Sequence, residues 1–312
     1  MSEFTAVHER AISRSTEGSP PELLKIDGET FRARFNRTPF HIQHQLANHP
    51  LFDLRRLVAL SRRLPEESVK YNGAGIPIST PLYDGPRTGL STEETIRQIE
   101  ECGSWMVLKN VEIDPEYREL LDRCLDQIQS HSESLCPGMH QREAFIFVSS
   151  PSAVTPYHMD PEHNFLLQIR GEKVLHIWNG RDRSVLSEIE LEDYFFGNRK
   201  QLVFKEEYRP KATPFALAPG AGLHVPVATP HWVQNGDAVS ISFSITFRSR
   251  VSERQQIVHR VNRRLRGRGL HPTPYAASPL RDAAKYYAFL AWSGAKKLVT
   301  DGMPRQPRRK GA

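Results

Sequence analysis

The chain has 312 residues, 38% of them hydrophobic and 25% charged, with a formal net charge of +6. That composition suits a chain that buries a core and excludes a low-complexity or collagen-like polymer. No apolar run reaches the length of a membrane span, and Met1 to Arg10 lacks the apolar stretch of a secretory signal. Cys102, Cys124 and Cys136 are odd in number and lack metal-ligand spacing, which points to reduced thiols in a cytoplasmic protein.

In chain order, residues 1–20 are polar, contain Ser-Pro-Pro, and are expected to form a flexible N-terminus. Residues 21–103 read as helical and strand additions. Leu23 to Phe40 holds a strand and a short helix. Pro50 to Leu64 carries apolar residues at 51, 54, 57, 58 and 60 or 61 on one helical face, with Pro50 suited to the first turn. Asn72 to Gly89, rich in Gly and Pro, predicts a long loop, and Ser91-Thr-Glu-Glu94 is a capping box opening a second helix. Residues 104–249 form the expected barrel, beginning with a strand over Trp105 to Val111. Asp114-Pro115 starts a third helix with Tyr117, Leu120, Leu121, Cys124, Leu125 and Ile128 on one side, suited to covering a barrel from outside. Another strand runs from Ala144 to Ser149.

The stretch from Thr155 to Lys173 carries the chemistry. On an extended strand, residues i and i+2 share a face, so His158 and Asp160 can converge on one metal ion. Phe165 to Ile169 and Val174 to Trp178 read as two strands joined by Arg170-Gly171-Glu172, a hairpin that returns Lys173 beside the first strand. A His-x-acid pair alone is a weak signal: His131-Ser-Glu133 has it too and reads as a helix end. A third ligand is expected from a distant strand, and Pro219 to Val233 offers two candidates, His224 and His231. Two histidines and one carboxylate are the donor set of non-haem Fe(II) oxygenases, which leaves positions open for co-substrate and oxygen. Between these halves, Asp182 to Tyr208 is acidic, aromatic and loop-like, with a small helix at Leu191 to Phe196. Beyond His231, Ser240 to Phe247 alternates strictly, with Ser240, Ser242, Ser244 and Thr246 on one face. In a small barrel that hydroxyl face can point into a ligand cavity.

Taken together, Thr155 to Trp178 and Pro219 to Phe247 resemble the JmjC and cupin-like Fe(II)/2-oxoglutarate-dependent dioxygenases, nearest to the asparaginyl hydroxylase that modifies hypoxia-inducible factor. In that branch a Thr lies three residues before the first His, an Asn four after the Asp, and a Lys nine after that Asn. Thr155, His158, Asp160, Asn164 and Lys173 stand at those positions. The resemblance implies a mainly β fold with α flanks, a double-stranded β-helix (cupin/jelly-roll) with N-terminal and C-terminal helices. It implies that His158, Asp160 and His231 ligate Fe(II), with His231 preferred over His224, which falls where the family usually has an aromatic. Thr155 and Lys173 would hold the distal carboxylate of 2-oxoglutarate, with Asn164 and Thr246 also at the co-substrate. The implied activity is an O2-consuming hydroxylation of a protein side chain or small molecule, with succinate and CO2 as co-products.

The C-terminal part is strongly basic. From Arg248 to Ala312 there are 16 Lys plus Arg against 3 acids, net +13, while the rest of the chain is net −7. Over 250–300, arginines flank an apolar stripe of Val251, Val258, Val261 and Leu265 at helical spacing. Such helices pack on a neighbour, lie on anionic lipid or meet nucleic acid. The resemblance implies a homodimer interface to which Pro279 to Leu298 contributes. Residues 301–312 read as a disordered basic tail with the run Arg305 to Lys310. Two other readings differ in class: a non-catalytic cupin-like module contacting nucleic acid through this basic region, and a zinc or manganese cupin isomerase.

Overall fold

The computed structural model describes residues 22–301 except 83, 87 and 199–201. The expected flexible N-terminus and the run Arg305 to Lys310 lie outside the described residues. Strands carry most of the site. In chain order they are β1 (Leu24–Lys25), β2 (Phe40–His44), β3 (Val69–Gly73), β4 (Ser104–Lys109), β5 (His140–Ser149), β6 (Val154–His158), β7 (His163–Arg170), β8 (Lys173–Ile177), β9 (Thr213–Leu217), β10 (Ala221–Val225), β11 (His231–Asn235) and β12 (Ser240–Arg248). They form an eight-stranded sheet, β1-β2-β10-β7-β12-β5-β4-β3, and a four-stranded sheet, β6-β11-β8-β9, with antiparallel pairing throughout. Counted from β5, the large sheet contains the first, eighth, third and sixth strands side by side. The small sheet contains the second, seventh, fourth and fifth. That order is a jelly roll, the double-stranded β-helix expected from the sequence. The strands at 21–103 extend its large sheet: β1 and β2 add beyond β10, and β3 pairs with β4.

The helices are α1 (Gly28–Arg34), α2 (Leu54–Ser61), α3 (Thr92–Arg97), α4 (Pro115–Ser132), α5 (Glu188–Phe196), α6 (Arg250–Arg266) and α7 (Pro279–Asp301). α3 has the Ser91/Glu94 capping box, and α4 begins at an Asp114 cap followed by Pro115, as the sequence predicts. The helix expected over Pro50 to Leu64 is instead a short 3-10 turn, Pro50–Phe52, and then α2, because Asp53 between them is extended (φ −63°, ψ 139°). α5 starts three residues before the predicted helix, at a Ser187/Glu190 capping box.

The largest apolar core lies outside the barrel. The outward residues of β12, Ile241, Phe243, Ile245 and Phe247, meet Phe165 and Leu167 of β7, Ile146 and Val148 of β5, and the buried faces of α1, α2 and α4. Each such side chain contributes roughly 1.5–3 kcal/mol on burial. Strand alternation then sends the opposite set inward, so Ser240, Ser242, Ser244 and Thr246 are buried between the sheets. On β8 the same period buries Lys173, Leu175 and Ile177.

The β7–β8 turn depends on Gly171, whose φ is +67°, and a Cβ there would lie 2.3 Å from the Val239 carbonyl oxygen. Gly171→Ala is expected to cost about 1–3 kcal/mol or more through strain and that collision. Urea unfolding of the purified variant measures it, and an unchanged midpoint would contradict the turn geometry.

Candidate metal centre and its cavity

His158, Asp160 and His231 come together, their ligand atoms all within 4.8 Å of one another. His231 opens β11 and is the direct cross-strand partner of His158, the last residue of β6. The rings lie 4.2 Å apart between centroids, and His231 Nε2 is 3.9 Å from Asp160 Oδ2. Asp160 is not on the strand with His158. β6 ends at His158 and Asp160 lies in the β6–β7 connection, because Pro161 follows and cannot extend the ladder.

That connection is fixed at three successive carbonyls. Tyr194 of α5 donates its hydroxyl to Met159 O (2.6 Å), the Ala228 N–H donates to Asp160 O (2.8 Å), and Gln256 of α6 donates to Pro161 O (2.9 Å). The carboxylate itself is oriented by Asn164, whose amide donates to Asp160 Oδ2 at 3.2 Å. Ser244 in turn donates its hydroxyl to Asn164 Oδ1 at 2.9 Å.

Both imidazoles are held in one tautomer. His158 Nδ1 is 2.7 Å from Pro156 O and His231 Nδ1 is 2.9 Å from Thr229 O, each the carbonyl two residues earlier. A carbonyl only accepts, so Nδ1 carries the hydrogen in both rings and each Nε2 presents its lone pair. Burial, and then the adjacent His158, hold His231 well below the usual imidazole range, so it stays neutral and ready to ligate. Orientation of a ligating histidine through its other nitrogen is what metal sites require.

His224, the rival ligand, is excluded by its partners. It is fully buried, its Nδ1 donates to Asn164 O (3.1 Å), and its Nε2 accepts the Asn36 N–H (3.2 Å). Both nitrogens are committed, and the ring lies 4.9 Å from Phe35 and 4.6 Å from Phe165 between centroids, in an aromatic stack where an aromatic residue would also fit.

A cavity of about 90 Å³ adjoins the cluster and is lined also by Thr155, Asn164, Lys173, Ser244 and Thr246, with apolar walls from Leu166, Leu175, Val225 and Val233. A register shift between His231 and Val233 pairs Val233 with Thr155, so β6 carries one residue more than β11. This bulge lets Thr155 and His158, three apart, both reach the cavity, which simple alternation forbids. The hydroxyl face of β12 reaches it only in part. Ser242 donates to Gln168 Oε1 (2.6 Å) and Gln168 donates to Ser240 Oγ (3.0 Å), closing those hydroxyls off, while Thr246 donates to Glu143 O (3.2 Å). The Asn164, Ser244 and Gln168 linkages were not legible in the sequence, since they join residues 72 to 80 positions apart.

Lys173 is 4% exposed at the start of β8, and burial alone pushes its ammonium down to about 7, with no neighbouring charge among the causes. No ion pair to Lys173 exists among the described residues; Glu162, which also lines the cavity, is paired with Arg248 at 2.7 Å. The barrel therefore holds a basic group that keeps its charge only below about pH 7 unless an anion joins it.

No family model matches the chain. Its fold is similar to solved structures of YcfD from E. coli. One has a TM-score of 0.49 at 14% identity, covering 92% of this chain and 70% of that one. Two are described as the ribosomal oxygenase YcfD, one with cobalt and succinic acid and one with cobalt and 2-oxoglutarate. The first has a TM-score of 0.46 at 15% identity, covering 92% and 69% of the two chains. The second has a TM-score of 0.46 at 14% identity, covering 88% and 68%. At these identities the side chains of this chain decide what its site does.

Two outcomes test the site. Asn164→Ala removes the hydrogen bond that orients Asp160 and is expected to weaken divalent-metal affinity about 10–100-fold, read by calorimetric titration; undiminished affinity would remove Asn164 from the site. For Lys173, the unfolded chain binds the proton more tightly between pH 7 and the ordinary lysine pKa of 10.5. Apo stability therefore rises with pH across that window. Lys173→Met should melt higher than wild type at pH 7 and below, with the gap closing toward pH 10. A pH-independent gap would contradict the depressed ammonium.

Proposed function

We propose that this protein is an Fe(II)/2-oxoglutarate-dependent oxygenase that hydroxylates a C–H bond of a protein side chain or small molecule, with succinate and CO2 as co-products. One observation carries the reading: a single cavity joins a two-histidine, one-carboxylate donor set to a buried lysine that has no ion pair among the described residues. The donor set fits Fe(II), since two neutral imidazoles and a carboxylate leave coordination positions for a chelating co-substrate and O2. His158, Asp160 and His231 would hold the metal, which would supply oxygen activation coupled to oxidative decarboxylation of 2-oxoglutarate.

The chain's own residues do the rest. Lys173 neutralises the distal carboxylate of 2-oxoglutarate, and Thr155 offers it a hydroxyl. Lys173 is charged below about pH 7 in the empty site, and a bound carboxylate raises its pKa and keeps the proton in place. Leu166, Leu175, Val225 and Val233 exclude water from the co-substrate, which strengthens that charge pairing. Asn164 keeps Asp160 turned toward the two imidazoles. A zinc or manganese isomerase has no use for a cation buried beside the metal, and a degenerate binding module has no use for the whole set. The asparaginyl hydroxylase branch rests on the spacing of Thr155, Asn164 and Lys173. In α7, Leu280 (84% exposed), Leu290 and Trp292 show large apolar surface, which supports the homodimer through the C-terminal helices. Among the described residues no helix is long and apolar enough to cross a membrane.

Succinate release from 2-oxoglutarate in the presence of Fe(II), ascorbate and O2, even without the primary substrate, tests the assignment. His231→Ala should abolish it. Lys173→Ala should raise the 2-oxoglutarate requirement at least about tenfold while metal binding persists, the loss of one buried charge pair. Equal 2-oxoglutarate affinity in wild type and Lys173→Ala would sink the role given to the lysine.

A further inference from the structure

Several arginines of the described chain pair with carboxylates: Arg56 and Arg63 with Asp114, Arg62 with Glu93, Arg142 with Asp122, Arg263 with Asp193 and Arg266 with Glu192. One region gathers arginines that lack such a partner. Two cavities of about 520 and 490 Å³ share the wall residues Val251, Tyr275 and Ala276 and so form one groove across the flank of the barrel. It is lined by Arg32 and Arg37 from α1 and the turn after it, Arg181 and Arg183 from the β8–α5 connection, and Arg250 and Arg254 from α6. Of these six, Arg183 has a carboxylate partner, Glu188. The others have no ion pair among the described residues. A single acid, Asp282, lines the groove, and it is buried with Oδ2 accepting the Ala276 N–H at 2.8 Å.

Aromatic rings interrupt the arginines. Tyr275 floors the junction of the two cavities, and Tyr286 and Tyr287 stand edge to face, with centroids 5.3 Å apart, at one end. Tyr287 is 66% exposed. At the base of the larger cavity His259 is fully buried with neither ring nitrogen partnered.

We propose that this groove binds single-stranded nucleic acid, the arginines on the phosphodiester backbone and the tyrosines against bases. Arginine, with no lysine among the lining residues, matches phosphate oxygens as a planar fork. Arginines together with tyrosines at the junction and one end of a concave track can hold an unpaired strand without regard to sequence. A flat lipid surface would meet a convex face, and an acidic peptide has no use for the tyrosine faces. The groove's inner wall is Pro226 to Thr229, the loop whose Ala228 and Thr229 hold Asp160 and His231 from the other side. A bound strand therefore lies against the support of the metal donors.

Fluorescence anisotropy of labelled oligouridine of about 12 nucleotides, with metal-free full-length protein, tests this. Groove binding needs neither metal nor 2-oxoglutarate, so its failure and the failure of the oxygenase reading are separate results. Saturable binding is expected. Arg37→Glu/Arg181→Glu should weaken it about tenfold or more and reduce the slope of log affinity against log salt by about 1.4, for two lost phosphate contacts. Tyr287→Leu should weaken it without changing that slope. The same reversal in the tail, Arg308→Glu/Arg309→Glu, should leave affinity within about twofold. The proposal is overturned if the tail variant carries the loss, if folded groove variants bind as wild type, or if polyglutamate or phosphatidylserine vesicles displace the oligonucleotide as effectively as unlabelled oligouridine.

Discussion

An ammonium enclosed by protein loses much of the water that stabilised its charge, and among the described residues Lys173 has no ion pair in return. Such an arrangement persists only where something else gains from it. The two sheets are built around that cost. The outward face of the large sheet carries the aromatic and aliphatic residues that pack on α1, α2 and α4, and between the sheets hydroxyls, amides, the imidazoles and the lysine stand beside an apolar cluster that includes Leu166, Leu175, Val225 and Val233. A jelly roll normally fills its interior with apolar side chains; here the larger core has moved outside, and the interior is given over to a polar cavity.

The metal donors are positioned by backbone more than by side-chain packing. Two histidines each donate to the carbonyl two residues earlier, and the Asp160 segment is held by three carbonyl bonds from α5, the β10–β11 loop and α6. Tyr194 and Gln256 therefore serve the site without lining its cavity. α5 and α6 are themselves joined by Arg263 with Asp193 and Arg266 with Glu192, so part of the C-terminal basic charge neutralises acids of the intervening segment. Arg250 and Arg254 of α6, which have no ion pair among the described residues, line the groove beside them.

Much of the site was legible in the sequence because its residues are near one another in the chain: Thr155, His158, Asp160, Asn164 and Lys173 fall within one stretch, and their spacing carried the resemblance. The choice between His224 and His231 was not settled by strand parity, since Pro226 and Pro230 interrupt it. It is decided by hydrogen bonds to Asn36 and Asn164 that no local pattern reveals. The parity argument put His158 and Asp160 together through the wrong element: a turn, not an extended strand, brings them together. Strict alternation placed the β12 hydroxyls inside, but Gln168, distant in sequence, consumes two of them. The short strands β2, β3 and β9 were missed because their sequences carry Pro, Gly or mixed polarity, and they gain stability only from the sheets they join.

The most direct test of the central claim is anaerobic. Fe(II) and then 2-oxoglutarate are added to apo-protein while the visible spectrum is followed. A charge-transfer band from the chelated complex, abolished in His231→Ala and retained in a folded His224→Phe, is the predicted result. No band with folded wild-type protein, or a band that survives in His231→Ala and disappears in His224→Phe, would contradict it.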